Sequence, residues 1–244
     1  MDGTVKRLRE DQVKKDQEDR SDGSTFVRRT YPRLRVRGEG IYTIRLERFE
    51  FPLLELAYGG FSIRDLKNCG ADPWIQQNAE LICAGQHCDC RVVLSWTNGE
   101  VKGFSFVHTT GTRSLRFLQA IVEPLQDGAM LRGLDDRSDC APPFNEGDWQ
   151  VLRCGDLDLC LDYDASGDLR AGHLRFSRPS GPVDIAWQGG RVSVTGAPVE
   201  QPDRFAPVSD PVALRRGLHL LVGAAANAGV GGLDDWIRVQ STMF

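Results

Sequence analysis

The polar and apolar positions of this chain fall into stretches of different period. From Lys6 to Ser24 nearly every residue is charged or polar, and the isolated Leu8 and Val13 leave any helix there only a thin apolar stripe to bury. That stretch reads as a mobile or partner-dependent arm. From Phe26 to Arg37 the chain becomes basic, β-branched and aromatic, which opens a β region. The run from Ile41 to Phe49 contains alternating stretches, and Phe51 to Leu56 is apolar enough for a buried strand before Tyr58-Gly59-Gly60, whose glycines supply a tight turn. Glu80 to Cys83, Cys90 to Trp96 and Val101 to Val107 read as further strands. The last two are joined by a hairpin at Thr97-Asn98-Gly99-Glu100, because Asn-Gly takes the positive φ that such a turn requires. After Thr112 the period lengthens. Leu115, Leu118, Ile121, Val122 and Leu125 fall at helical spacing and predict an amphipathic helix after the strands.

Gln126 to Gly147 is dense in Gly, Pro, Asp and Ser, including Asp135-Asp136-Arg137-Ser138-Asp139 and Pro142-Pro143, which marks a boundary. Beyond it Trp149 to Arg153, Leu157 to Tyr163, Leu169 to Ser177, Val183 to Trp187 and Arg191 to Thr195 alternate with turn signals, the pattern of a β-meander. Asp210-Pro211 offers an N-cap and a first-turn proline for a helix through about Asn227, with Gly229 placed to end it. The expected organisation is a charged arm over 1–23, a β domain ending in a helix over 24–134, a linker over 135–147 and a smaller β-rich domain with a C-terminal helix over 148–244.

Composition narrows the class. A length of 244 residues exceeds the commonest single-domain size, and 41% hydrophobic with 26% charged residues is ordinary globular usage. No apolar h-region opens the chain and no run reaches the roughly 18 apolar residues of a membrane span, so a cytoplasmic protein without membrane insertion is expected. Seven scattered cysteines argue for reduced, buried thiols instead of a disulfide framework. The net charge of −4 argues against bulk binding of DNA or RNA, although it conceals the local basic concentration around Arg28, Arg29 and Arg33.

Arg29-Thr30-Tyr31-Pro32-Arg33, followed by Glu55-Leu56-Ala57-Tyr58-Gly59-Gly60-Phe61-Ser62-Ile63, resembles the two signatures of the PilZ family, R-x-x-x-R and Asp-or-Asn-x-Ser-x-x-Gly. Arg91 to Trp96, Gly103 to Phe106 and the following helix are similar to that family's closing strands and helix, so the resemblance spans Ser24 to Leu134. In the second motif Glu55 stands where Asp or Asn is usual and Ala57 where Ser is usual, while Gly60 matches. The resemblance implies a mainly β fold, a six-stranded antiparallel barrel with an α-helix, and cyclic di-GMP as ligand. That molecule presents two phosphates and two guanines. Arginine suits each of these surfaces, because its planar fork pairs with guanine O6 and N7, binds phosphate oxygens and stacks on bases. The implied ligand-binding residues are Arg28, Arg29, Arg33, Glu55, Ala57 and Gly60. Glu55 keeps a carboxylate able to accept guanine N–H groups, whereas Ala57 lacks the usual hydroxyl.

Three other patterns are weaker. Asp162-Tyr163-Asp164-Ala165-Ser166-Gly167-Asp168 begins like a calcium loop, but His173 stands where a bidentate Glu belongs, so a polar β-turn is expected. Cys83, His87, Cys88 and Cys90 lack paired zinc-knuckle spacing and read as core cysteines around a turn holding His87 and Cys88. The glycine-rich run Gly223 to Gly232 follows a helix and lacks the Lys-Ser/Thr ending of a phosphate loop. No nucleophile, base and orienting group can be assigned together. The expectation is therefore a non-enzymatic receptor without metal or cofactor, whose binding of cyclic di-GMP is relayed to a protein partner or a neighbouring domain. The alternative is a degenerate PilZ-like interaction module that binds proteins and not the nucleotide.

Overall fold

The computed structural model describes residues 33–36, 40–66, 70–107, 112–134, 149–179, 181–188, 191–195 and 210–228, together with Leu233 and Ile237. The expected arm and linker lie outside these residues.

The first sheet is a closed, six-stranded antiparallel barrel. Its strands are β2 (Tyr42–Leu46), β3 (Phe49–Ala57), β4 (Gly60–Arg64), β5 (Gln76–Cys83), β6 (Gln86–Asn98) and β7 (Val101–Phe106), and a short β1 (Leu34–Arg35) adds to β3. The circuit runs β3-β2-β5-β6-β7-β4 and returns to β3, which pairs with β2 along its first half and with β4 along its second. Closure removes the edges an open sheet would leave unpaired. Tyr42, Ile44, Leu56, Phe61, Ile63, Leu81, Val92 and Phe104 fill the interior, and Phe61 stacks on Phe104 at 5.3 Å. The β6–β7 hairpin falls within the expected Thr97-Asn98-Gly99-Glu100, but its turn residues are Gly99 (φ 58°) and Glu100, and Asn98 is the last paired residue of β6.

Two tight turns fall elsewhere than the sequence suggests. Glu47 (φ 52°) and Arg48 separate β2 from β3 inside what reads as one alternating run. Ala84 (φ 47°) and Gly85 (φ 73°) connect β5 to β6, so His87 and Cys88 lie within strand β6 and not in a connecting turn. In both turns a non-glycine residue adopts the left-handed conformation, held there by the ladders on either side.

Helix α1 (Thr112–Ala129) buries Leu118, Ile121, Val122 and Leu125, as its spacing predicts, while Leu115 remains exposed. A six-stranded antiparallel meander follows in the order β13-β12-β11-β10-β9-β8. It comprises β8 (Arg132–Gly133), β9 (Gln150–Cys154), β10 (Leu157–Tyr163), β11 (Leu169–Arg178), β12 (Gly181–Gln188) and β13 (Arg191–Thr195). One face presents Leu159, Leu174, Phe176, Val183, Ile185 and Trp187 to the core. The other carries a cross-strand row, Arg153, Asp158, Arg175 and Asp184, in which opposite charges alternate. Arg153 pairs with Asp158 at 2.5 Å and Arg175 with Asp184 at 2.8 Å.

Helix α2 (Pro211–Ala228) is capped by Asp210, whose Oδ1 accepts hydrogen bonds from the backbone N–H groups of Val212 (3.0 Å) and Ala213 (2.8 Å). The helix touches β1 of the barrel and β12 of the meander and packs along α1. The helix–helix contact is close: a Cβ on Gly128 would overlap the Leu220 carbonyl oxygen, and one on Gly223 would overlap that of Leu125. Gly223, the start of the glycine-rich run, is thus a packing residue inside a helix. On the barrel side, Tyr42 Oη and His219 Nδ1 share a buried 2.5 Å hydrogen bond. One hydrophobic core passes from Ile44 through Ile121 and Leu221 to Leu159 and Ile185, and the described residues belong to a single compact unit.

Candidate functional site

Barrel registry aligns one row of residues across five strands. Arg35 on β1 pairs with Glu55 on β3, Glu55 with Ser62 on β4, Ser62 with Gly103 on β7, and Gly103 with Trp96 on β6. Residues directly opposite one another project to the same face, so the row assembles a surface from segments distant in sequence. Gly103 is essential to its shape. The Trp96 indole lies over this glycine, where any Cβ would overlap the ring, and its Nε1 is buried with no hydrogen-bond partner.

Arg33 enters this surface from just before β1. Its Nη1 donates to Glu55 Oε2 at 3.2 Å, and the Ser62 hydroxyl donates to the same oxygen, also at 3.2 Å. The Arg33 guanidinium lies 5.1 Å from the centre of the Trp96 ring, a cation–π contact. Arg35, Glu55, Ser62, Arg64 and Trp96 line an open groove of about 490 Å³ beside it. A tryptophan face, three neighbouring guanidinium groups, a hydroxyl and a carboxylate can together bind a planar base and an anionic group.

Of the sequence-predicted ligand residues, Arg28 and Arg29 lie outside the described residues. Arg33 and Glu55 are in direct contact. Ala57 is buried and pairs with Gly60 at the end of the β3–β4 hairpin, one position along the same face from Glu55. Gly60 is not itself in the turn, which is Tyr58-Gly59; it lets β7 approach, since a Cβ there would overlap the Phe104 carbonyl oxygen. Sequence reasoning missed the roles of Ser62, Arg64, Arg35 and Trp96. Ser62 had a signal, because alternation along Gly60-Phe61-Ser62-Ile63 sets it opposite the core residues Phe61 and Ile63.

The other polar clusters are largely paired within the fold, although Asp184 Oδ2 and Arg216 Nε are buried without a hydrogen-bond partner. Burial raises the Cys83 thiol well above its ordinary value and pushes Cys90 up to about 12, so neither supplies a ready thiolate. Asp164 Oδ1 accepts from the backbone of Ser166 (2.9 Å) and of Asp168 (3.0 Å), closing the β10–β11 turn, and Asp162 is paired with Arg170 at 2.5 Å. Asp184 is buried against His173 Nε2 at 2.9 Å; burial raises its carboxyl, but hydrogen bonds from His173 and Arg175 outweigh this and hold it below its usual value. Among the described residues no group of His, Cys, Asp and Glu is arranged to hold a metal ion, and no helix is long and apolar enough to cross a membrane.

No family model and no curated protein matches the chain. Among solved structures, an uncharacterized protein of Legionella is similar at 15% identity and a TM-score of 0.32, over 40% of this chain and 96% of that one.

Proposed function

We propose that this protein is a PilZ-like, non-enzymatic cytoplasmic receptor for cyclic di-GMP, which binds in the groove between Trp96 and the arginines Arg33, Arg35 and Arg64 and relays binding to a partner or to the adjoining sheet. The observation that carries this reading is the registered row from Glu55 to Trp96, overlain by the very Arg33 that ends the first PilZ-like motif. The Trp96 face suits a guanine, at about 1–3 kcal/mol for a base stacked on an aromatic ring. The guanidinium groups suit phosphate oxygens. By the same resemblance, the outputs expected are motility, biofilm, exopolysaccharide or virulence control.

The test is titration of the nucleotide-free protein with cyclic di-GMP. Saturable binding is expected, weakened at least about tenfold in folded Trp96→Ala, the factor that corresponds to ~1.4 kcal/mol of stacking, and comparably in Arg33→Ala. Unchanged affinity in both variants would place the ligand elsewhere.

A second reading, a nucleotide-independent interaction module, is favoured by the connection between β4 and β5. There Leu66, Trp74 and Ile75 are exposed, and Trp74, 81% accessible, sits at φ 69°, a conformation rare for a bulky side chain. It prevails if neither the wild-type protein nor a Glu55→Gln variant shows saturable nucleotide binding by two equilibrium methods.

A further inference from the structure

We propose that Arg33, Glu55 and Ser62 form a latch that holds the groove closed to its ligand, with Glu55 acting as an internal competitor and not as a ligand contact. The inference rests on the receptor reading above and concerns how that site is regulated. Glu55 Oε2 receives both the Arg33 guanidinium and the Ser62 hydroxyl, each at 3.2 Å. In that position the guanidinium also lies over the Trp96 face, 5.1 Å from its centre. One arrangement therefore occupies both halves of the site. The aromatic surface is covered by a side chain, and the cation a phosphate would pair with is neutralised by a carboxylate.

An anionic ligand with a planar base has to displace Arg33 from Trp96 and separate it from Glu55. It also meets the negative charge of Glu55 in the same groove, which opposes phosphate. The Arg33 and Glu55 side chains are 20% and 32% exposed, so the pair is partly solvated and weak enough to open. Apparent affinity is then the intrinsic affinity multiplied by the open fraction, and a change that weakens the latch while leaving Arg33 to meet the ligand tightens binding. Glu55, where the PilZ-like motif carries a shorter residue, is long enough to reach Arg33. A ligand-contact role would have the opposite consequence, because removing a contact weakens binding.

Cyclic di-GMP is titrated into the full chain as wild type, Glu55→Gln and Ser62→Ala, with folding checked by circular dichroism. Glu55→Gln keeps the shape and removes the charge; it should bind about fivefold more tightly, the size expected for a partly exposed ion pair. Ser62→Ala should shift affinity in the same direction by a smaller factor. Binding by Glu55→Gln but not by wild type would also support the latch. If wild type binds and Glu55→Gln binds equally or more weakly, Glu55 is not a latch, while the receptor reading stands. If neither binds, the receptor reading falls and the latch with it. Should Glu55→Gln fail to fold, Ser62→Ala, which loosens the same carboxylate, decides between the same outcomes.

Discussion

At the scale of single residues, Gly60 shows how a motif position and its structural role come apart. Its match to the PilZ-like signature suggests a turn beside a ligand, but the observed constraint is the Phe104 carbonyl oxygen of the neighbouring strand. A methyl group there forces two hydrogen-bonded strands apart, so Gly60→Ala should lower stability by about 1–3 kcal/mol. A drop in the urea midpoint of that order checks this, and an unchanged midpoint would show that β7 can yield. Arg33 and Glu55 were legible because each lies in a short linear pattern with a chemical rationale. Trp96 and Arg64 were not, since they join the site only when β4 pairs with β7 and β7 with β6, and linear spacing does not contain that registry. The vacant surface over Gly103 that receives the indole is equally a product of pairing.

At the scale of elements, local chemistry was readable wherever it came from a single segment. Thr97 to Glu100 holds its hairpin, with the turn one residue later than Asn98-Gly99, Asp210-Pro211 starts α2, and Leu118 to Leu125 faces the core at helical spacing. The turn at Glu47-Arg48 escaped, because the ladders flanking it impose a conformation that its own residues do not favour, and the turn at Ala84-Gly85 lies ahead of His87 and Cys88, where the cysteine spacing suggested it. The contact between the two helices belongs to the same class. Neither Gly128 nor Gly223 announces itself in sequence as an interface residue, and the run containing Gly223 reads as a helix end followed by a loop. Alanine is worth up to about 1 kcal/mol over glycine in a helix interior, so Gly128→Ala would stabilise an isolated α1. In this fold the new methyl group meets the Leu220 backbone, which cannot rotate away, and the expected outcome is a net loss of about 1–3 kcal/mol. Denaturant unfolding of this variant distinguishes the two: a raised midpoint would mean that the helices separate at little cost.

At the scale of the whole molecule, α2 is the element that joins the barrel to the meander, and its joint with the barrel is a titratable pair. His219 and Tyr42 are both buried, and burial raises the Tyr42 hydroxyl, so it stays protonated. Burial, reinforced by the positive charges of Arg215 and Arg216, lowers His219 from 6.5 to about 4. The unfolded chain therefore takes up its proton near 6.5, whereas the native state resists until about 4. Between those values the unfolded state binds more protons, so stability falls as pH falls. The contribution is fully present above 6.5 and exhausted below about 4, and it amounts to roughly 3 kcal/mol. Protonation would put a buried positive charge near the partly exposed Arg215 and Arg216, against a hydroxyl that cannot neutralise it, and the contact most directly strained is that of α2 with β2. His219→Gln should consequently be less stable than wild type near neutrality, because the buried hydrogen bond is disturbed. Its unfolding free energy should nevertheless vary less between pH 6.5 and 4, so that the two proteins converge on acidification. Parallel curves would mean that His219 titrates normally in the folded protein. The barrel–helix joint would then be more open to water than the 2.5 Å contact with Tyr42 implies.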